Sequence, residues 1–183
     1  MPVQDVVYAP LTGESFTRFG LDHFVRHQQV TACWRWEGGK LMLRPVAFVE
    51  DWSLEDCRDR AERILSGVRE GGAAFGALVA GEVVGYALLC GAAGSRKQLL
   101  KLDSFHVSEP YRRRGLGRRL FDLACGEARR RGYSGLYISA CSAEETQAAY
   151  RAYGCVPAPE EEIDPESAAE EPCDIQMIRW LER

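Results

Sequence analysis

The sequence has no apolar run near the roughly 18 residues a membrane-spanning helix needs, so no transmembrane segment is expected in its 183 residues. Its first residues, MPVQDVVYAPLTGE, lack the basic and apolar stretches of a secretory signal. A cytoplasmic location is the expectation. Cysteines are present, at 33, 57, 90, 125, 141, 155 and 173, but no two stand in C-x-x-C spacing. That speaks against a zinc ribbon or a disulfide framework, and the residues read as small buried thiols in a reducing compartment. Histidine is scarce, at three residues. His23 and His27 stand four apart near Cys33 but lack a third ligand at a standard spacing, so no metal is expected. Positive charge is not in excess either. Acidic residues outnumber basic ones by 27 to 23, a net charge of −4, which argues against whole-molecule binding to nucleic acid or to an anionic membrane.

What is present is ordinary globular composition, 46% hydrophobic, 27% charged and 10% aromatic, in a length that suits one domain. Residues 1–23 have no clean period and are broken by Pro2, Pro10, Gly13 and Gly20, so they read as an arm or loop lying on the domain. Segments 28–36 (QQVTACWRW) and 40–49 (KLMLRPVAFV) flank Glu37-Gly38-Gly39 and predict a hairpin, with Pro45 either putting the second strand at an edge or ending it there. Ser53 and Asp56 form a capping box ahead of the apolar stripe Leu54, Cys57, Ala61, Ile64, Leu65 and Val68. Residues 73–79 and 83–89 predict a second hairpin around Gly81-Glu82, and 98–107 (QLLKLDSFHV) a longer strand. A helix follows from Gly115 to Gly132, then a strand at 136–140, a helix opened by a Ser142/Glu145 capping box and ended at Gly154, and a strand at 175–181. Seven acids and no base lie within 160–171, predicting a solvated, mobile loop. The order is that of a mixed α/β sheet.

The chemistry concentrates at residues 107–120, VSEPYRRRGLGRRL, where a strand runs through a turn into a helix. Backbone N–H groups at a helix N-terminus have no intrahelical partner and lie at the positive end of the helix dipole, so they can cradle a pyrophosphate. Gly115 and Gly117 remove the Cβ atoms that would hold a phosphate off the backbone, and Arg112, Arg113 and Arg114 offer paired donors to its oxygens. Eight arginines against Asp122 and Glu127 give residues 112–131 a local balance of +6, leaving −10 for the rest of the chain. Such asymmetry suits a polyphosphate ligand. Arg129, Arg130 and Arg131 sit at the far end of the helix, where cations complement its C-terminal dipole. The turn is neither a Walker loop nor a dinucleotide fingerprint.

The R-x-x-G-x-G spacing between strand and helix resembles the acyl-CoA pyrophosphate loop of the GNAT superfamily of N-acyltransferases, and in particular a bacterial subgroup with an N-terminal extension. The strand 102–107 before it, the helix after it, the strand 136–140 and the helix carrying Tyr150-x-x-x-Gly154 follow in that family's order. The likeness is specific over 98–155 and weaker over 53–97. It implies an α/β fold with a mixed, mostly antiparallel central sheet, a parallel pair of strands at the CoA site, flanking helices and an extra N-terminal hairpin. A single domain over 1–183 follows, with an extension and hairpin at 1–48 and an acetyl-CoA-binding and catalytic core at 98–155.

The same resemblance implies transfer of an acetyl group from acetyl-CoA to a primary amine of a small molecule or protein, directly, within a ternary complex. No cysteine has a visible base partner, which argues against a covalent acetyl-enzyme. Phe105, His106 and Val107 would pair with the pantetheine and polarise the thioester carbonyl, while Arg112, Arg113, Arg114, Gly115, Leu116, Gly117 and Arg118 would bind the phosphates. Tyr150 matches the tyrosine that protonates the departing sulfur in many members, although Ala143, Ala149 and Cys155 depart from the residues common around it. Asp103 is the leading general base. Strand parity puts His106, whose ordinary pKa near 6.5 suits a base better, on the opposite face unless a bulge intervenes. Residues 26–36 with Trp52 are polar and aromatic enough to line an acceptor pocket, with core packing an equal alternative. A non-catalytic CoA-binding sensor and a nucleic-acid-binding arginine helix are the rival readings, and a homodimer through the last strand or the N-terminal hairpin is compatible with the pattern.

Overall fold

Among the described residues, 5–182, the computed structural model contains nine strands and four α-helices. In chain order they are β1 (Val7–Pro10), β2 (His27–Glu37), β3 (Lys40–Asp51), α1 (Leu54–Arg69), β4 (Ala73–Val79), β5 (Glu82–Ala93), β6 (Leu99–Val107), α2 (Leu116–Arg130), β7 (Gly135–Ala140), α3 (Glu144–Ala152), β8 (Val156–Pro157), α4 (Pro165–Glu170) and β9 (Ile175–Trp180). Seven strands form one sheet in the order β1-β4-β5-β6-β7-β9-β8, and β2 with β3 forms a separate two-stranded sheet. The pairing of β6 with β7 is parallel over Leu99–Lys101, whereas β1 with β4, β4 with β5, and β9 with β7 and β8 are antiparallel. This is the mixed, mostly antiparallel α/β sheet that the sequence implied, with a parallel pair and an extra hairpin. No helix among the described residues is long and apolar enough to cross a membrane.

The turns fall where their chemistry requires. Gly38 and Gly39 are both left-handed, at φ 55° and 76°, the conformation that matches the twist of a two-residue hairpin. Ser53 caps α1 as expected, its Oγ accepting from the Asp56 N–H while Asp56 accepts from the Ser53 N–H at 2.8 Å. Such a cap contributes about 1 kcal/mol.

Three departures have physical causes. The stretch expected to be an arm holds β1, paired with β4 from Val7↔Leu78 to Pro10↔Phe75; a proline is tolerated because β1 is an edge strand. Residues 1–4 of that stretch lie outside the described residues. The capping box expected at Ser142 does not form: α3 is capped at Ala143 without a side-chain bond, and Ser142 Oγ accepts instead from Arg35 Nη1 at 2.5 Å. The reason is that Ser142 and Ala143 are held on β2, where Trp34 N–H reaches the Ser142 carbonyl and Cys33 bridges Ala143. The acidic segment is not a loose loop, for it contains a 3-10 turn at Glu160–Glu162 and α4. Two of its seven acids find partners, Glu162 on Gln98 and Ser95, and buried Asp164 on Lys101 Nζ at 2.7 Å, while the other five stay exposed as expected.

The chain gathers into two compact units, one from residues 5–27, 51–91 and 102–127, the other from 28–50, 92–101 and 128–182. In the first, Leu11, Phe16, Leu21 and Phe24 pack with Cys57, Ala61 and Ile64 of α1 and with Tyr86 and Leu88 of β5. A second cluster there seats Leu116 and Leu120 of α2 on Ala77, Val79 and Val84. In the second unit, Leu99, Tyr137, Ile178 and Ala93 form one cluster, and Val30, Cys33 and Ala143 another.

Candidate active site

In the first unit the strand β6 hands over to α2 through a tightly held loop. Ser108 is buried, its N–H reaching the Val84 carbonyl at 2.8 Å and its Oγ accepting from the Val25 N–H at 2.9 Å. A 3-10 turn follows at Glu109–Tyr111. Arg112 then turns back: Nε donates to the Val107 carbonyl at 3.0 Å and Nη1 to the His27 carbonyl at 2.8 Å. Of the four arginines expected to bind phosphate, Arg112 serves as a strut inside the loop, whereas Arg113, Arg114 and Arg118 are exposed.

The loop backbone has the shape of an anion cradle. Arg113 and Gly115 are both left-handed, at φ 59° and 84°, and alternation of that kind turns successive N–H groups toward one concave point. A Cβ placed on Gly115 would meet no heavy atom within 4 Å, so the approach to its backbone is open. Leu116 plugs the start of α2 into the core while Arg118 and Arg119 stay exposed and Gly117 is half-buried. The residues present thus fit a pyrophosphate: an open backbone cradle at a helix N-terminus, ringed by guanidinium groups.

The strand before the loop departs from simple alternation. Asp103 is held by Arg63 of α1 in a two-pronged ion pair, both bonds 2.7 Å long. His106 lies against Trp52, ring centroids 4.7 Å apart, and against Tyr86 at 5.7 Å. Trp52 and Tyr86 belong to the core cluster that α1 covers. Asp103 and His106 thus both turn toward the α1 side, contrary to the opposite faces that parity predicts. Phe105 packs instead on Phe121 of α2. Burial, helped by the positive charges of Arg26, Arg60 and Arg112, pushes His106 well below the usual imidazole range and keeps it neutral at pH 7. Tyr86, whose hydroxyl meets Ser104 Oγ at 3.0 Å, is pushed up to about 12 by burial. His23 and His27 go to separate acids, Glu82 at 3.6 Å and Asp51 at 3.5 Å.

The second unit carries Tyr150. It lies near the end of α3, buried to 8% exposure, where the helix closes on left-handed Gly154. Burial, then neighbouring Cys155, Tyr153, Asp174 and Cys141, hold its phenol far above the usual range, so it keeps its proton. The aromatic segment expected to line an acceptor pocket divides in role. Trp34 stacks under Arg151 at 4.8 Å, Trp52 of the first unit packs on Phe24, and Trp36 is 59% exposed. One further group gave no signal in the sequence, Asp174, which Ser139 Oγ contacts at 3.2 Å. Its environment is apparent only once β7 and β9 are paired, with Ser139 opposite Gln176.

Residues 32–154 match the model of the acetyltransferase (GNAT) family. A search among curated proteins finds no match. Among solved structures, the fold is similar to a putative streptothricin acetyltransferase from Bacillus anthracis str. Ames in complex with acetyl coenzyme A, at 14% identity over 97% of this chain and 99% of that one, TM-score 0.71. It is similar to nourseothricin acetyltransferase at 16% identity over 96% and 98%, TM-score 0.70. The ribosomal-protein-S18-alanine N-acetyltransferase from Escherichia coli follows at 16% identity over 98% and 96%, TM-score 0.59.

Proposed function

Because the chain belongs to the acetyltransferase (GNAT) family, we propose that it transfers an acetyl group from acetyl-CoA to a primary amine of a small molecule or protein, directly, in a ternary complex. The observation that carries this reading is the cradle at residues 112–117, where left-handed Arg113 and Gly115 open the backbone at the start of α2. When bound, acetyl-CoA supplies the acetyl group already activated as a thioester. Arg113, Arg114 and Arg118 bring positive charge to the phosphates, and the N–H groups of 115–117 meet them from the backbone. Arg112 keeps that backbone in place through the Val107 and His27 carbonyls.

Tyr150 is the proposed proton donor, because a buried phenol far above its usual range carries its proton at neutral pH and can give it up only to a basic atom in direct contact. Asp103, the base suggested by sequence, has both oxygens engaged by Arg63, and we assign it to holding β6 on α1. Neither Cys90 nor Cys141 suits a covalent acetyl intermediate. Burial pushes Cys90 and Cys141 each up to about 11, so neither offers a thiolate at pH 7.

The test is thiol release from acetyl-CoA with a panel of primary amines, on wild type and Gly117→Glu. Amine-dependent release that disappears in Gly117→Glu is the expected result. Acetyl-CoA binding without release on any amine would leave a CoA-binding sensor in place of the enzyme.

A further inference from the structure

Among the described residues, one half-buried carboxylate in the second unit has no cation beside it. Asp174 precedes β9 and accepts a side-chain hydrogen bond from Ser139 Oγ at 3.2 Å. The charges in its reach are Glu171 and Glu50, both of its own sign. Other shielded carboxylates are compensated: Asp164 by Lys101, Asp103 by Arg63, Asp22 by Arg58. A half-buried charge left among like charges is costly, and the cost is recovered where a cation arrives from outside.

The carboxylate is also held in place from behind. Gln176 Nε2 donates to Ser139 Oγ at 3.0 Å, Tyr137 Oη donates to Gln176 Oε1 at 2.8 Å, and the Asp164 N–H donates to Tyr137 Oη at 2.9 Å. The direction of this chain leaves the Ser139 proton for Asp174, so the carboxylate is oriented as an acceptor. In front of it lies a cleft of about 210 Å³ whose lining includes Trp36, Ile163, Pro172, Asp174 and Gln176. Trp36 offers an exposed indole, a surface that attracts cations and alkyl chains alike.

Resting on the acetyl-transfer reading, we propose that this cleft receives the acceptor and that the acceptor is a cationic amine, its positive group paired with Asp174 and its alkyl part against Trp36, Ile163 and Pro172. Glu171, Glu50, Cys141 and Tyr150 are the titratable groups around the same carboxylate. Burial raises Asp174 to about 6, so cation binding strengthens as pH rises through that value.

The experiment titrates spermidine, a flexible polycationic amine, into wild type, Asp174→Asn and Trp36→Ala at pH 5.5 and 7.5, with acetyl-CoA titrated in parallel. Wild type should bind spermidine more tightly at pH 7.5. Asp174→Asn should lose about tenfold in affinity and the pH dependence with it, as expected for a shielded ion pair. Trp36→Ala, at a site exposed enough not to endanger folding, should weaken binding severalfold. Acetyl-CoA affinity should be the same in all three. Absence of spermidine binding to wild type, or equal affinity in Asp174→Asn, would overturn the proposal. Failure of acetyl-CoA to bind any of them, with spermidine binding still dependent on Asp174, would instead remove the acetyl-transfer reading and leave the cation site standing.

Discussion

Replacing Arg112 by lysine keeps the positive charge of the loop and removes the fork that spans two carbonyls. Nε and Nη1 reach Val107 and His27 at 3.0 and 2.8 Å, a pair of directions that a single ammonium on a flexible stem does not reproduce. A hydrogen bond from a charged donor is worth roughly 1.5–3 kcal/mol. With one of the two lost from a half-buried side chain, Arg112→Lys should cost about 2 kcal/mol. Each kcal/mol moves Tm by about 2–4 °C in a chain of this size, so the fall should be roughly 4–8 °C. Acetyl-CoA affinity should fall with it, because the cradle is built on the segment that Arg112 anchors. Arg113→Ala, at an exposed position, should weaken acetyl-CoA binding with no change in Tm. Thermal melts followed by circular dichroism, with calorimetry on the same samples, read both quantities. An unchanged Tm for Arg112→Lys together with lost acetyl-CoA affinity would refute the reasoning, since the guanidinium would then be holding the ligand and not the loop.

Tyr150→Phe should keep acetyl-CoA affinity and lower turnover by roughly 10²–10⁴-fold, the range for a lost general acid; full turnover in a thiol-release assay would take Tyr150 out of the chemistry. Arg63→Met should lower Tm by a few degrees, the cost being about 1 kcal/mol because Arg63 is half-exposed. A double-mutant cycle with Asp103→Asn that shows no coupling would deny the ion pair a stabilising role. Asp164 and Asp174 should respond to pH with opposite sign. Asp164 is lowered to about 2, so it stabilises the fold above the ordinary carboxylate range and that contribution is lost as pH falls toward 2. Asp164→Asn should therefore lower Tm at pH 7, with the gap to wild type closing in acid. Asp174 is raised to about 6, so its charge burdens the fold above that value and the burden is gone below about 4. Asp174→Asn should melt higher than wild type at pH 7.5 and equal to it near pH 4; the reverse order would contradict the placement of an uncompensated charge there.

Much of the architecture was legible because local chemistry decided it. Paired glycines marked the first hairpin, Ser53 and Asp56 marked the start of α1, and the spacing of Arg112, Gly115 and Gly117 between a strand and a helix marked the cradle. The unreadable parts depend on contacts distant in sequence. Pro10 disguised β1, which exists because β4 lies beside it. Glu162 and Asp164 looked as solvated as the other acids of 160–171 because their partners, Lys101, Gln98 and Ser95, lie about 60 residues away. Ser142 looked like a cap until β2 was seen to hold it. Arg112 and Arg113 are identical in sequence terms, yet one is turned inward as a strut while the other stands exposed with a left-handed backbone. Asp103 reads as a base from its place on the strand that resembles the family's central one, four residues before Val107, and the Arg63 that engages it comes from another element. Asp174 gave no signal at all, since its isolation from cations is a property of the whole neighbourhood.

Calorimetric titration of acetyl-CoA into wild type and Gly117→Glu tests the central claim most directly, because the added carboxylate would sit at the cradle that opens α2. Saturable binding to wild type that is abolished in a folded Gly117→Glu variant is the predicted result. Equal binding to both would place the cofactor elsewhere, and no binding to wild type would contradict the acetyl-CoA reading of the cradle.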